Sequence, residues 1–224
     1  MHALDDPVTA SLRGPHAAFA RRSGAALGYR PEVARFVGWD AGAPDPWSDL
    51  RDLLGTGGVG LLVGADAPPD GWRVPFRAPG VQMVADGESG EPDPEAVPLG
   101  LDDVAEMSAL VDLTRPGPWE ARTVELGGYL GLRDGDGRLI AMAGERMRPD
   151  GYGEISAVCT HPDARGRGLA ARLVRAVAAG IVARGDLPFL HVAGANTGAI
   201  RIYERLGFAV RMPTSFTMVV APAR

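Results

Sequence analysis

The stretch "AVCTHPDARGRGLAARLV", residues 157–174, decides how this chain folds. "AVCT" reads as the end of a strand, and His161-Pro162 closes it. From Leu169 the pattern changes period. Leu169, Leu173, Val174, Val177 and Ile181 fall within one ~140° arc of a helix, with Arg172 and Arg175 opposite. Between strand and helix stands Arg165-Gly-Arg-Gly168. Gly166 and Gly168 carry no side chains, so several peptide N–H groups are free to face one point. Those groups belong to the first turn of the helix and have no intrahelical acceptor. The helix dipole adds positive potential there, and Arg165 and Arg167 add formal charge. A phosphate or pyrophosphate suits such a place. A plain turn with two exposed arginines is the other reading, and these residues alone leave both open.

On either side of this unit the pattern is regular. "LDDVAEMSALVDL" from Leu101 has helical spacing. "GGYLGLRD" and "RLIAMAGERMR" are strand-like runs joined by Asp-Gly repeats, a strong hairpin signal. "PDGYG" makes a second turn before "EISAVCT", so residues 128–160 read as a three-stranded antiparallel meander. After the central helix, which Gly185 suits as a terminator, come the strand "LPFLHVAG", the short helix "NTGAIRIYERLGF" stopping at Gly207, and the strand "SFTMVVA". The order β-β-β-α-β-α-β predicts an α/β (α+β) fold. Its sheet is mixed, mostly antiparallel and flanked by helices, with the strand–loop–helix crossover in its middle.

Residues 1–94 read differently and are predicted to form a smaller N-terminal α/β region, with 95–224 as the main domain. A helix is expected at "ASLRGPHAAFARR", interrupted by Gly14-Pro15, and another at "PWSDLRDLL". "VGLLVGA" from Val59 and "WRVPFRAPGVQMVA" from Trp72 are strand-like, and Pro75 and Pro79 mark the second as edge or bulged. "DGESGEPDPEAVPLG", residues 86–100, is the best linker candidate.

Composition bounds the rest. The chain has 224 residues and a net charge of −5, and it contains no lysine, which excludes Walker, Schiff-base and serine–lysine chemistry. The acidic balance argues against nucleic-acid binding. No apolar run reaches the roughly 18–20 residues of a membrane span, and the N-terminus does not read as a signal peptide. Cys159 is the only cysteine. The simplest location is the cytoplasm. His2, His16, His161 and His191 show no ligand spacing, so no metal is expected.

Two glycine patterns compete with the anion loop. Gly166-x-Gly168-x-x-Ala171 loosely fits a dinucleotide fingerprint, but the next strand ends "HVAGAN" without the acid that would hold a ribose. "GTGGVG", residues 55–60, fits in letters but lies after a helix and before a strand, the reverse of the required order.

"AVCTHPDARGRGLAARLV" followed by "ANTGAIRIYERLGF" resembles the GNAT superfamily of CoA-dependent N-acetyltransferases. The resemblance covers about residues 98–224. Its most specific part is the Arg165-Gly-Arg-Gly168-Leu-Ala170 loop, and its second is Asn196 followed seven residues later by Tyr203 and then Gly-Phe. The N-terminal region looks like that of the glycine N-acyltransferase-like group, whose first half is degenerate.

The resemblance implies an acetyl group carried from acetyl-CoA to a primary amine of a small molecule or peptide. Amides of Arg165, Gly166, Arg167, Gly168, Leu169 and Ala170 would hold the CoA pyrophosphate. The strand carrying Val158, Cys159 and Thr160 would run beside pantetheine, with the Val158 N–H facing the thioester oxygen. Asn196 would bond CoA or cap the last helix. Tyr203 is the matched general acid for the departing thiolate, and near the helix end it would also meet Phe208. Glu154, four residues before Val158 and so expected on its face of the strand, is the first candidate base. Glu145 is the second, and Tyr152 could replace either. Cys159 reads as a buried structural thiol. The N-terminal region is expected to shape the acceptor pocket or a contact between two copies in a homodimer. Two alternatives stand beside this: a CoA-binding regulatory protein without turnover, and an amino-acid N-acyltransferase using longer acyl-CoA.

Overall fold

The computed structural model describes residues 2–64, 67–85 and 90–223. Its helices are α1 (Pro7–Arg13), α2 (Pro46–Leu54), α3 (Val104–Thr114), α4 (Leu169–Ala183) and α5 (Thr197–Arg205). Its strands are β1 (Ala20–Ser23), β2 (Ala26–Tyr29), β3 (Val37–Trp39), β4 (Val59–Val63), β5 (Arg73–Ala85), β6 (Val97–Leu99), β7 (Tyr129–Arg133), β8 (Leu139–Glu145), β9 (Tyr152–Thr160), β10 (Leu187–Ala193) and β11 (Phe208–Val220). Among the described residues they form a small sheet β1-β2-β3 and an eight-stranded sheet in the order β4-β11-β5-β10-β9-β8-β7-β6. The only parallel neighbours in the large sheet are β9 and β10, joined through α4.

Local chemistry explains the helix limits. Asp6 and Asp45 cap α1 and α2 by accepting from the N–H of Thr9 and Ser48, each followed by a proline at the first helical position. Gly14 ends α1. The expected continuation past Pro15 does not form a longer helix: residues 17–19 make one 3-10 turn, and Ala20–Ser23 enters β1. Gly185, at φ 84°, follows the end of α4.

The helices cover both faces of the large sheet. α4 buries Leu169, Leu173, Val174, Val177 and Ile181, the arc read from the sequence, against Ala141, Ala143, Ile155 and Leu190. α3 packs on the other face against Met142 and Cys159. α1 and β2 meet Phe189 and Met147 on that same opposite side.

The sheet runs across the 94/95 division. β5 lies between β10 and β11, and β4 pairs with β11 on the outside. Pro75 and Pro79 therefore sit in an interior strand. Their missing N–H groups are tolerated because β10 pairs with β5 only from Gly80 to Val84, so the proline-bearing half has a neighbour on one side alone. Of the linker candidate, residues 86–89 lie outside the described residues. Residues beyond them are tied to α4: Arg172 holds Asp93 at 2.7 Å and Glu95 at 2.6 Å. Among the described residues no helix is long and apolar enough to cross a membrane.

Candidate active site

The site begins where two strands part. β9 and β10 are paired from Tyr152–Ile155 against Leu187–Leu190, and the pairing stops there. Beyond it each strand keeps its outer partner, β8 for β9 and β5 for β10. The inner edges diverge around a cavity of about 560 Å³, lined by Ser156–Thr160 on one side and His191–Ala193 on the other. Unpaired backbone in such a gap needs hydrogen-bond partners, which solvent or a ligand must supply.

A bulge sets which side chains face where. β8 and β9 change register between Met142 and Gly144, so that Ala157 and Val158 together oppose Ala143. Ala157 takes φ 53°, a left-handed conformation that alanine rarely adopts. The extra residue inverts the alternation of the strand. Val158 accordingly packs with the α4 cluster, while Cys159 lies with α3. This corrects the expectation that Glu154 and Val158 share a face, which held only for an unbroken strand.

At one end of the cavity stands the glycine loop. Gly166 and Gly168 take φ of 76° and 75°, and no atom lies within 4 Å of a Cβ placed at either. Among the described residues no side chain caps the N-terminus of α4. Arg165 lines the cavity. Arg165, Gly166, Arg167 and Gly168 are exposed, Ala170 is half-buried, and Leu169 anchors the helix in the core. Among the described residues, neither arginine side chain has a partner.

Asn196 caps α5, its Oδ1 accepting from the N–H of Ala199 at 3.2 Å, and it also borders the cavity. Tyr203 borders it from two turns further along α5. Its ring meets Phe208 edge-on at 6.1 Å, with Gly207 at φ 86° between them. Burial pushes the Tyr203 phenol up to about 12, so it stays protonated through neutral pH. Cys159 is buried, and burial raises its thiol to about 11, which keeps it protonated at neutral pH.

The two carboxylates expected to act as bases lie elsewhere. Glu154 is 0% exposed. Its Oε2 accepts from Arg146 Nε at 2.9 Å and from the N–H of Met147, and its Oε1 accepts from Arg146 Nη2 and His191 Nδ1, each at 2.7 Å. Burial alone would raise its pKa, but Arg146 and His191 more than offset this and bring it to about 2. A carboxylate so held is a weak base with no free lone pair facing the cavity. Glu145 is paired with Arg184 and takes no part in the cavity lining. Tyr152 contacts His2 at the start of β9, away from the gap.

Arg146 and His191, which do line the cavity, were not read as site residues from the sequence. The available signal was a charge on each side of the "PDGYG" turn: Arg146 and Glu154 face across the β8–β9 hairpin, the N–H of Arg146 donating to the Glu154 carbonyl. The surrounding bonds fix the His191 tautomer. Gln82 Oε1 accepts from Arg211, so its Nε2 donates to the Leu4 carbonyl and to His191 Nε2. His191 then accepts at Nε2 and donates its Nδ1–H to Glu154.

The far wall of the cavity comes largely from the N-terminal part of the chain. Phe36 bridges to Leu61 of β4, Leu61 pairs with Met218 of β11, and Met218 pairs with Phe76 of β5. These four residues form an apolar row on the cavity. The guanidinium of Arg146 lies over the Phe36 ring, 4.6 Å from its centre.

Known proteins share this architecture. The family described as FR47-like protein matches residues 129–217. Mycothiol acetyltransferase of Saccharopolyspora erythraea is 36% identical over 83 residues, which are 37% of this chain and 27% of that protein. The GCN5-related N-acetyltransferase of Kribbella flavida shares the fold at 20% identity, with a TM-score of 0.61 over 97% of this chain and 95% of that one. A crystal structure from Novosphingobium aromaticivorans DSM 12444, assigned to the GNAT acetyltransferases, is 44% identical, with a TM-score of 0.91 over 100% of both chains. Whole-length identity at that level places the chain in the GNAT family of acetyltransferases.

Proposed function

We propose that this chain transfers an acetyl group from acetyl-CoA to a primary amine by direct attack. The reading rests chiefly on one observation: the cavity between β9 and β10 runs from unpaired strand edges to Arg165, which opens the glycine loop before the uncapped α4, with Tyr203 beside them. The amides from Arg165 to Ala170 suit the pyrophosphate of CoA, with Arg165 and Arg167 adding charge. The backbone of Val158, Cys159 and Thr160 suits the pantetheine amides. The bulge at Ala157 supports a role for the Val158 N–H, which would meet a developing oxyanion. Asn196, already committed to capping α5, borders the same path.

The amine nitrogen bonds to the thioester carbon, and the carbon–sulfur bond then breaks. Tyr203 gives its proton to the departing sulfur and regains one from the proton that the amine sheds, through water. The products are the N-acetylated amine and free CoA thiol. Neither Glu154 nor Glu145 serves as base in this reading. Glu154 instead holds Arg146 and His191 in place, as a positioning residue.

Thiol release from acetyl-CoA with an amine panel tests the proposal. Tyr203→Phe is expected to lower kcat by about 10²-fold or more, with little change in the KM for acetyl-CoA. Unchanged kcat removes Tyr203 from the chemistry. Thermal stabilisation by acetyl-CoA without thiol release from any amine makes the chain a binding protein instead. Faster release from longer acyl-CoA shifts the donor assignment.

A further inference from the structure

The cavity has an unusual charge balance. Among the described residues no aspartate or glutamate lines it, while Arg115, Arg146 and Arg165 do. Arg165 belongs to the glycine-loop end. The other two face the remaining space.

Arg146 is 8% exposed, and Glu154 takes its Nε and Nη2. Its Nη1 has no partner among the described residues, and the residue lines the cavity. The two N–H donors of Nη1 are free to take an acceptor placed in the cavity, and a carboxylate suits a guanidinium. Arg115 is fixed differently. It ends α3 at φ 50°, ψ 57°, directly before Pro116-Gly117-Pro118. A residue before proline avoids helical angles, so this left-handed conformation is strained. Arg115 is exposed, has no side-chain partner among the described residues, and lines the cavity. Glu154 neutralises Arg146, so Arg115 supplies the net charge.

The opposite wall is the apolar row Phe36–Leu61–Met218–Phe76, and Phe76 is 48% exposed despite its size. An acceptor that fits both walls carries an anion and an apolar body. Resting on the acetyl-transfer reading above, we propose that the acceptor is an α-amino acid with a large apolar side chain. Its carboxylate meets Arg115 and Nη1 of Arg146, and its side chain lies on the Phe36–Phe76 row. The same balance accounts for the missing base. The acceptor's own carboxylate is taken up by the arginines, and among the described residues no protein carboxylate lines the cavity to hold an ammonium, so the neutral amine is favoured there. The attacking nitrogen thus sheds its proton to water before it bonds to the thioester carbon, and the product is the N-acetyl amino acid.

The test measures thiol release from acetyl-CoA with L-phenylalanine, L-phenylalaninamide, phenethylamine and glycine. L-Phenylalanine is expected to exceed each of the others in kcat/KM by about tenfold or more. Arg115→Gln is expected to collapse the acid-over-amide ratio, mainly through KM, and Phe76→Ala to collapse the phenylalanine-over-glycine ratio. Both residues are exposed, so these variants should fold. Equal or faster reaction of the amide or phenethylamine overturns the inference while leaving acetyl transfer standing. So does an acid preference that survives Arg115→Gln. Thiol release from none of the four, nor from a wider amine panel, sinks the acetyl-transfer reading beneath it.

Discussion

The two ends of the cavity are built by different means. The glycine-loop end is backbone: Gly166, Gly168 and the uncapped first turn of α4, contiguous in the chain and needing no side chain to form. The far end is side chains brought from four places, with Phe36 before β3, Leu61 on β4, Phe76 on β5 and Met218 on β11. A local device of this kind tolerates changes elsewhere in the fold. An assembled one depends on every tie that holds its parts in register. The largest expected differences between the two ends therefore lie in stability rather than in ligand contact.

Glu154→Gln gives the strongest test. It leaves the shape unchanged but strands the charge of Arg146, which stacks on Phe36 at the far wall. Breaking a buried ion pair by neutralising one partner costs about 3–5 kcal/mol. For a chain of this size that is roughly 2–4 °C in Tm per kcal/mol, read by calorimetry. A base in contact with the amine would show the opposite pattern, with turnover falling about 10²-fold or more and Tm nearly unchanged.

The next effect concerns the tie between the N-terminal part and the sheet. His16 is buried, donates its Nε2–H to the Leu126 carbonyl at 2.9 Å and accepts from the Tyr29 hydroxyl at 2.9 Å. Burial lowers its pKa from 6.5 to about 4. Well above pH 6.5 the imidazole is neutral in both the folded and the unfolded chain, and the tie is intact. As pH falls through 6.5 the unfolded chain takes up a proton that the folded one refuses until about pH 4. Stability falls across that window by about 3 kcal/mol in all. Denaturant unfolding at pH 7, 5.5 and 4.5 measures it. His16→Gln is expected to flatten the slope, and a slope unchanged in that variant assigns the acid sensitivity to other groups.

The same contrast explains what the sequence disclosed. The strand–loop–helix unit, the 128–160 meander, the Asn196 cap and the Tyr203–Phe208 contact depend on neighbours a few residues apart, and each is in place. Burial of Cys159 followed from its strand. The face of Glu154 did not, because the bulge turns on a left-handed Ala157, and nothing in an alanine signals that conformation. The insertion of β5 between β10 and β11 pairs residues more than a hundred positions apart, which no local pattern encodes. Arg146 is one of many arginines in a lysine-free chain, and only its ion pair with Glu154 across the hairpin lets it be buried.

The smallest effect on stability, and the sharpest probe of the loop end, is Gly168→Ala. A Cβ there meets nothing within 4 Å, so no clash is involved. The cost comes only from holding an L-residue at φ 75°, about 1–2 kcal/mol. If the backbone relaxes toward ordinary angles, the first-turn N–H groups of α4 swing out of convergence. Affinity for CoA is then expected to fall about tenfold, the equivalent of roughly 1.4 kcal/mol, while Tm drops by only a few degrees. Titration calorimetry with CoA and with dephospho-CoA reads this separately from any contact at the 3′-phosphate, since the loss should be equal for both. Unchanged affinity for both would show that the convergence of these amides is not what holds the pyrophosphate, and the difference drawn between the two ends of the cavity would lose its backbone half.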